Sequence, residues 1–166
     1  EASNGIIDCA GASSNTTIVN CTFADNNQSA EPIYVTSGTV SIKNCIFKDN
    51  ASTHDVERAG GTVDFTNSWY ESKTGTFNST TGLTTSGTVL FVDQDNDDYR
   101  IQFSSEGKDD GAADASITVD IDGNSRDGSL DLGCYEYVCS TPNSGIVATT
   151  DAIRCNGTTA SLTVSG

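Results

Sequence analysis

Three seven-residue segments of this chain are versions of one another, and their spacing constrains the fold more than any other feature. They read NCTFADN from Asn20, NCIFKDN from Asn44 and NSWYESK from Asn67, so the asparagines are 24 and then 23 residues apart. A fixed period of this length is typical of a solenoid, in which each repeat buries its apolar face only against its neighbours. The repeat therefore predicts a stack of coils with a long lateral surface.

Apolar residues alternate with polar ones on both sides of each repeated asparagine. Val40 and Ile42 precede Asn44 at spacing two, and after it Cys45 and Phe47 are again two apart; the equivalent positions of the other two copies have the same spacings. Period two predicts a strand with one inward face. Since asparagine tolerates left-handed backbone angles, we expect it to occupy a bend between two short strands.

Equivalent residues of successive coils should lie one above the other. Neighbouring strands of a sheet are about 4.8 Å apart, which brings matching side chains into contact. We therefore expect a ladder of side-chain amides and, beneath it, a stack of aromatic rings. The ladder would consist of Asn20, Asn44 and Asn67, and the stack of Phe23, Phe47 and Tyr70.

A third apolar stretch precedes each pair of strands, at residues 6–7 and again at residues 33–35. Three short strands per coil, with the asparagine repeat and the phrase PIYVTSGTVSIKNCIFKDN, resemble the right-handed parallel β-helix repeats of bacterial secreted and cell-surface proteins. The resemblance covers about residues 5–90 and implies an all-β fold whose coils occupy residues 1–89. The alternative is an antiparallel sandwich, which also consists of short strands separated by turn signals.

Residues 90–137 lose the repeat and become acidic. They resemble the closing segment of many bacterial β-helix proteins, whose pattern runs roughly LF-x-D, DYRL, SPAIDAG, DLDGNPR and DIGAYEY. The matching stretches are residues 90–93, 98–101, 109–111, 120–126 and 131–137. The chain departs from the pattern at residues 106–108, where Pro-Ala-Ile is usual, at Ser125 in place of proline, and at Cys134 in place of alanine.

The closing segment is expected to act as a cap. The last coil of a solenoid exposes unpaired backbone groups and an apolar cross-section. Alternating apolar residues indicate four further strands that could cover this end, at residues 89–92, 99–103, 117–121 and 130–137.

Two acidic runs in the closing segment have spacings that could converge oxygen atoms on a hard cation. Ca²⁺ takes six to eight oxygen ligands, but neither run has the glycine and glutamate that an EF-hand loop requires. Calcium binding is therefore one interpretation, and turn capping by solvated side chains is the other. The residues concerned are Asp93, Asp95 and Asp97 in the first run, and Asp120, Asp122 and Asn124 in the second.

The remaining residues divide into a linker and the start of a second domain. Residues 138–145 are polar and include Pro142 and Gly145, which favours a linker. Residues 146–166 resemble the opening strands of an immunoglobulin-like repeat of large surface proteins in bacteria that use type IX secretion, with the pattern CNG-x-x-x-x-L-x-x-x-G. Because a sandwich needs about seven strands, we expect this domain to be incomplete and the intact protein to be longer.

Six cysteines are spaced in a way that fits no zinc-binding pattern: Cys9, Cys21, Cys45, Cys134, Cys139 and Cys155. Six cysteines allow 15 pairings, and the sequence does not choose among them. Cys21 and Cys45 should be close if the coils stack, either as a disulfide or as two buried thiols. Cys155 could pair with Cys139 or with a partner beyond Gly166. An extracellular, oxidising compartment is expected.

The net charge of −15 constrains the partners. It argues against nucleic acid, whose phosphates are bound by lysine and arginine, and against anionic membrane surfaces. No apolar run approaches the roughly 20 residues that cross a bilayer. The charge favours solubility, cation binding or a high-salt environment.

No residues form a convincing catalytic constellation. His54 is the single histidine and lies in a polar loop, where a solvated side chain is expected, and Trp69 should point outward. We therefore expect a non-enzymatic fragment of a large extracellular or cell-surface protein, such as a stalk, filament or adhesin, that contacts glycans or other surface proteins. The alternative is the non-catalytic end of a secreted polysaccharide lyase or hydrolase, or a carbohydrate-binding protein. The resemblance alone also suggests secretion cargo.

Overall fold

The computed structural model describes residues 5–27, 29–126 and 128–138, with the backbone of residues 154–155 and 158–159. Regular structure in these residues is β-strand apart from one 3₁₀ turn at Gln94–Asn96. The all-β class predicted from the sequence is therefore confirmed. None of the described segments forms a helix with the length and hydrophobicity to cross a membrane.

Within the described residues, nine strands form three parallel sheets, and the chain passes through the sheets in turn. The first sheet contains, in spatial order, β1 (Gly5–Cys9), β4 (Glu31–Val35), β7 (Val56–Arg58) and β9 (Lys73–Thr74). The second contains β2 (Asn15–Val19), β5 (Thr39–Lys43) and β8 (Thr62–Thr66). The third contains β3 (Thr22–Ala24) and β6 (Ile46–Lys48). Each circuit of the chain is here called a coil. The first two coils add one strand to each sheet, and the third adds β7, β8 and the isolated bridge of Trp69 with Ile46.

The pairing register matches the period of the sequence repeat. Ile18 of β2 lies beside Ile42 of β5, and Ile42 lies beside Phe65 of β8. All three side chains point into the space between the sheets and are buried. The repeat therefore sets which residues of successive coils are neighbours.

A fourth and shorter coil follows the three that the repeat predicts. β9 pairs with β7, and two isolated bridges, Asp64 with Ser79 and Trp69 with Thr84, continue the other two sheets. The offset between partners is 23 residues from Ile46 to Trp69 and 15 residues from Trp69 to Thr84. Because this coil has no copy of the asparagine segment, the sequence repeat did not predict it.

The interior of the coils is an apolar core made of one layer from each coil. Its fully buried members come from the second and third coils: Ile33, Val35, Val40, Ile42, Cys45, Phe47, Val56, Val63 and Phe65. Val, Ile and Phe suit strands because their branched or planar side chains pack well on a pleated surface. Partly buried hydrophobic residues pack against the core at both ends of the stack: Ile7, Cys21 and Phe23 in the first coil, and Tyr70, Phe77 and Leu83 at the other end.

A second core lies outside the coils, on the outer face of the third sheet. Alternation in β6 points Phe47 inward and Ile46 outward, and Ile46 packs with residues of the closing segment. That segment includes β10 (Phe91–Asp93) and β11 (Asp98–Ile101), which pair antiparallel. The buried members of this core are Ile46, Trp69, Val89, Phe91, Ile101 and Leu132.

The position of the closing segment differs from the expected cap on the last coil. The segment lies along the flank of the stack, where Gly133 N–H donates to Asn44 O (2.8 Å). Two of the four predicted strands are present as β10 and β11. The other two are not strands: residues 117–121 make only the isolated bridge of Val119 with Ser125, and residues 130–137 are held by side-chain hydrogen bonds instead.

Only backbone pairing is described beyond residue 138. β12 (Arg154–Cys155) and β13 (Thr158–Thr159) form an antiparallel pair. The predicted linker at residues 138–145 and the rest of the predicted immunoglobulin-like start at residues 146–166 lie outside the described residues, except that residue 138 is described. The domain boundaries at residues 89, 137 and 145 stay predictions.

Candidate functional site

The repeated asparagines occupy left-handed bends between the second and third sheets. The φ angles are 50° at Asn20, 55° at Asn44 and 44° at Asn67. Asp25 and Asp49 adopt the same conformation at the next bend, with φ of 52° and 54°. Asparagine and aspartate tolerate this region better than other side chains because they bond locally. The sequence Asn-x-x-aromatic-x-Asp thus encodes two bends per coil.

Asn44 is the best connected of the three predicted ladder residues. Its Nδ2 donates to Asn20 Oδ1 (3.4 Å) and to Ala112 O (2.7 Å), and its Oδ1 accepts from Ala112 N (2.9 Å). Asn20 Nδ2 donates to Asp131 O (3.3 Å). The side-chain amides therefore join two coils to the closing segment. Asn67 lies against Gly82 instead, where an added Cβ would be 2.4 Å from Asn67 Nδ2.

Replacing Asn44 with alanine should lower the free energy of unfolding by about 3 kcal/mol. About 1–3 kcal/mol comes from the buried partners of Asn44 that lose their hydrogen bonds. A further cost of about 1–2 kcal/mol arises because alanine must adopt the left-handed conformation, which its Cβ disfavours. Asn44→Gly is the matched control, because glycine adopts this conformation readily. Urea unfolding should place the glycine variant between alanine and wild type. Equal stabilities of all three proteins would contradict the bonding seen at Asn44.

A second polar ladder, which the sequence analysis missed, lies at the next bend. Asn26 Nδ2 donates to Asn50 Oδ1 (2.7 Å), and Asn50 Nδ2 donates to Asp55 Oδ1 (2.9 Å). Asp55 is 3% exposed, and its Oδ2 accepts from the N–H groups of Glu71 and Ser72 (2.8 and 3.0 Å). The sequence signal for this ladder is the Asp-Asn pair that ends the first two copies of the repeated segment, because the pair recurs at the spacing of the repeat.

The aromatic stack contains two of its three predicted members. The Phe23 and Phe47 rings are 4.8 Å apart and nearly parallel, with 4° between their planes. Phe65 occupies the next position, edge-on to Phe47 with centroids 5.6 Å apart. Tyr70 packs against Phe65 (5.4 Å) rather than beneath Phe47. The third ring of the stack is therefore Phe65, which precedes Asn67 in the sequence, and not Tyr70, which follows it.

Trp69 points away from the coil interior, as expected, but it is not exposed. Its side chain belongs to the second core and is 6% exposed. The indole Nε1 donates to Ser86 O (3.1 Å), which satisfies its one polar group. Trp69 is thus a packing residue beneath the closing segment, and it offers no free face on which a sugar ring could stack.

Trp69 also reports directly on the second core, because it is the single tryptophan of the chain. We expect its fluorescence to be blue-shifted and poorly quenched by acrylamide in the folded protein. Ile46→Ala should open the contact and raise the quenching constant, whereas Ile33→Ala, in the inner core, should leave it unchanged in the folded state. Quenching as efficient as in urea-unfolded protein would contradict the packing described.

Four cysteines in the described residues are free thiols: Cys9, Cys21, Cys45 and Cys134. Cys21 and Cys45 are hydrogen-bonded neighbours, which matches the thiol interpretation rather than the disulfide. The bond from Cys45 lowers the pKa of Cys21 to about 7, while burial raises the pKa of Cys45 well above its usual value. Cys139 lies outside the described residues, and only the backbone of Cys155 is described.

Cys21 should be the first of these thiols to react with an alkylating agent. The thiolate is the nucleophile, and a pKa of about 7 leaves roughly half of Cys21 ionised at neutral pH. Burial raises the pKa of Cys134 and of Cys45, so both should stay protonated and slow. Iodoacetamide labelling at pH 6, 7 and 8, followed by peptide mass spectrometry, should show a Cys21 rate that rises through about pH 7. Faster labelling of Cys45 would contradict the assignment.

The second run of candidate calcium ligands is engaged in local hydrogen bonds. Asp120 Oδ1 accepts from the N–H groups of Asp122 and Asn124 (2.9 and 2.7 Å), and its Oδ2 accepts from Asn124 Nδ2 (3.0 Å) and Glu136 N (2.9 Å). Burial opposes ionisation, yet these bonds hold the pKa of Asp120 below its usual value. Asp120 therefore caps a turn.

The first acidic run is likewise engaged in local bonds. Asp93 Oδ2 accepts from Asn96 Nδ2 (2.9 Å), and Asp97 Oδ1 accepts from Tyr99 OH (3.1 Å). Among the described residues, the aspartates of neither run belong to a group of three His, Cys, Asp or Glu ligand atoms within 4.8 Å of one another. Calcium binding at Asp93, Asp95 and Asp97 stays a prediction that these contacts do not support.

One group of three ligand-type side chains does converge in the part of the chain that is described. Ligand atoms of Glu31, His54 and Glu57 all lie within 4.8 Å of one another, and each residue is half-buried. The sequence analysis treated His54 as a solvated loop residue. The structure places it beside two glutamates from neighbouring strands, which only the pairing of β4 with β7 brings together.

The outer faces of the first two sheets differ in character. On the second sheet, Thr17, Ser41 and Asp64 lie side by side and form a row of short polar side chains. On the first sheet, Asp8, Tyr34 and Glu57 form the equivalent row, with one aromatic ring between two carboxylates. Alternation with the buried Ile33 and Val35 turns this row away from the core.

Comparisons with known proteins identify no relative. No protein-family model matches the chain, and no similar protein is found among curated sequences or solved structures. Proposals about function therefore depend on the geometry described above and on the sequence patterns.

Proposed function

We propose that this chain is the end of a right-handed parallel β-helix in a large extracellular or cell-surface protein, with a structural or adhesive role. The observation that carries the proposal is the sheet topology, in which the chain passes through three parallel sheets in turn and successive coils extend them by strands or, in the last two coils, partly by isolated bridges. Such a stack provides reach and a flat lateral face, because successive coils repeat the same surface. The row of Thr17, Ser41 and Asp64 is a face of this kind.

The first coil supports the idea that further coils stack on this piece. β1, β2 and β3 are each edge strands, paired on one side only by described residues. An edge strand presents unpaired N–H and C=O groups that accept another strand. The partly buried Ile7 and Phe23 lie at the same end, where one more coil would cover them. The proposed partners are therefore further parts of the same protein, and glycans or surface proteins along its side.

A binding assay on the polar face tests the adhesive role. The 166-residue chain should bind components of a glycan array or a panel of surface proteins. A Thr17→Lys, Ser41→Lys variant should lose this binding, because it changes the side chains and charge of the face without touching the core. Thr76→Lys and Ser86→Lys, outside the second sheet, form the matched control. Cleavage of an acidic polysaccharide by the chain would contradict a structural role.

A carbohydrate-binding module is the second candidate, and the row on the first sheet is the observation that favours it. A tyrosine between two carboxylates can stack on a sugar ring while the carboxylates accept hydrogen bonds from its hydroxyls. In that case Tyr34→Ala should abolish glycan binding, and Tyr34→Phe should retain most of it. The Thr17→Lys, Ser41→Lys variant should then bind as well as wild type, which separates the two candidates.

A further inference from the structure

We propose that Glu31, His54 and Glu57 form a binding site for a divalent transition-metal ion, of which zinc fits the donors best. The site lies on the first sheet, where two adjacent coils meet, and it is separate from both acidic runs of the closing segment. One imidazole nitrogen and two carboxylate oxygens lie within 4.8 Å of one another. An ion held by these three groups would clamp β4 to β7.

Strand pairing explains how residues so far apart in sequence meet. Ile33 pairs with Val56, and Ile33 N donates to Asp55 O (3.1 Å). Continuing this register toward the start of both strands sets Glu31 across from His54. Glu57 lies three residues beyond His54 and projects from β7. Glu31 and Glu57 therefore belong to the paired strands β4 and β7, and His54 lies two residues before β7.

The backbone around His54 is held on both sides. Ser52 Oγ donates to His54 O (2.9 Å), and the N–H of Asp55 donates to Ser72 O (2.8 Å). Asp55 is itself buried and bonded through both carboxylate oxygens. Because the backbone is already anchored on both sides of His54, less conformational entropy would be lost when a metal ion binds.

An independent observation at the histidine supports a ligand there. His54 Nδ1 is buried and has no hydrogen-bond partner among the described residues. Leaving a buried polar atom unpaired is costly, and each such atom in a native protein calls for an explanation. No described residue forms an ion pair with Glu31 or Glu57 either. The group therefore places two carboxylates, neither in an ion pair with a described residue, beside the imidazole.

The donor set favours zinc over calcium. Calcium needs six to eight oxygen ligands, whereas zinc is bound by imidazole and carboxylate, commonly with three protein ligands and a water molecule. Ligand atoms about 2.0–2.2 Å from one zinc ion lie at most about 4.4 Å apart. A small inward rotation of the glutamates would therefore be sufficient.

The single histidine of the chain makes the test unambiguous. With ¹⁵N-labelled protein, the imidazole gives one set of ring signals, which zinc should shift with saturation at one equivalent. Calorimetry should give the same stoichiometry, and saturating zinc should raise the melting temperature, because a ligand that binds only the folded state stabilises it. Calcium at the same concentration should leave the ring signals unchanged.

Variants define the three ligands. His54→Ala, Glu31→Gln and Glu57→Gln should each weaken zinc binding by at least about 10- to 100-fold, the loss seen when even an indirect partner of a metal ligand is removed. Asp8→Asn, a carboxylate of the same sheet outside the group, is the matched control and should bind as wild type. The glutamine variants keep shape and should remain folded, which circular dichroism checks.

Three results would overturn the proposal. Zinc bound without a change in the imidazole signals would place the ion elsewhere, at the thiols or the acidic runs. Absence of any binding at millimolar zinc would also contradict the site. Equal shifts of the ring signals by calcium and zinc would show general attraction to negative charge instead of coordination by nitrogen.

Discussion

Replacing Phe47 with alanine is expected to lower the free energy of unfolding by about 3–5 kcal/mol, the range for a large aromatic side chain removed from a core. Phe47 is fully buried, stacks on Phe23 with centroids 4.8 Å apart and meets the edge of Phe65 at 5.6 Å. Alanine would leave a cavity between coils that cannot collapse, because strand pairing holds the coils at their spacing. Urea unfolding followed by circular dichroism measures the loss.

Phe23→Ala is the matched control for Phe47. Phe23 makes the same stacked contact but belongs to the first coil and is only partly buried. Its replacement should cost less than half as much, because water already reaches one side of the ring. If the two variants lost equal stability, the order of layers in the core would be wrong.

Removing the carboxylate of Glu136 should destabilise the protein by about 3–5 kcal/mol, because an arginine is then left buried without its counter-ion. Arg126 Nη1 lies 3.0 Å from Glu136 Oε2, and the two side chains are 1% and 7% exposed. Arg126 also donates to the carbonyls of Asp131 and Gly133. The ion pair thus holds together the end of the closing segment.

The double variant Arg126→Met, Glu136→Gln separates the charge effect from the loss of bonds. Methionine removes the orphaned charge, and glutamine still accepts from the N–H of Asp131 as Glu136 Oε2 does (3.2 Å). We expect this protein to be more stable than Glu136→Gln alone, since an unpaired buried charge costs more than no charge. If the double variant lost as much stability as the two single variants, Arg126→Met and Glu136→Gln, lose together, the two residues would not be coupled.

Local patterns in the sequence were sufficient to predict the inner core and the bends. The alternation around Asn44 gave β5 and β6, and the asparagines adopt left-handed angles at all three copies. These features depend on a few neighbouring residues and on the period of the repeat. The parallel pairing of Ile18 with Ile42 and Phe65 follows from the same period.

Features that depend on contacts distant in sequence were not predictable. Trp69 and Ile46 alternate outward from their strands, and nothing local indicates that residues 89–91, 101 and 132 will cover them. The fourth coil lacks the repeated segment, so periodicity could not reveal it. The group of Glu31, His54 and Glu57 exists only because the two strands pair in one register.

The central claim, that successive coils stack in parallel with an offset of one repeat, is tested most directly by nuclear Overhauser effects in labelled protein. Parallel stacking predicts side-chain contacts between Ile18 and Ile42, between Ile42 and Phe65, and between Phe23 and Phe47. An antiparallel sandwich would instead give close Hα–Hα contacts between strands that run in opposite directions. Observation of those contacts between β2 and β5, without the Ile18–Ile42 and Ile42–Phe65 effects, would contradict the stacked-coil account.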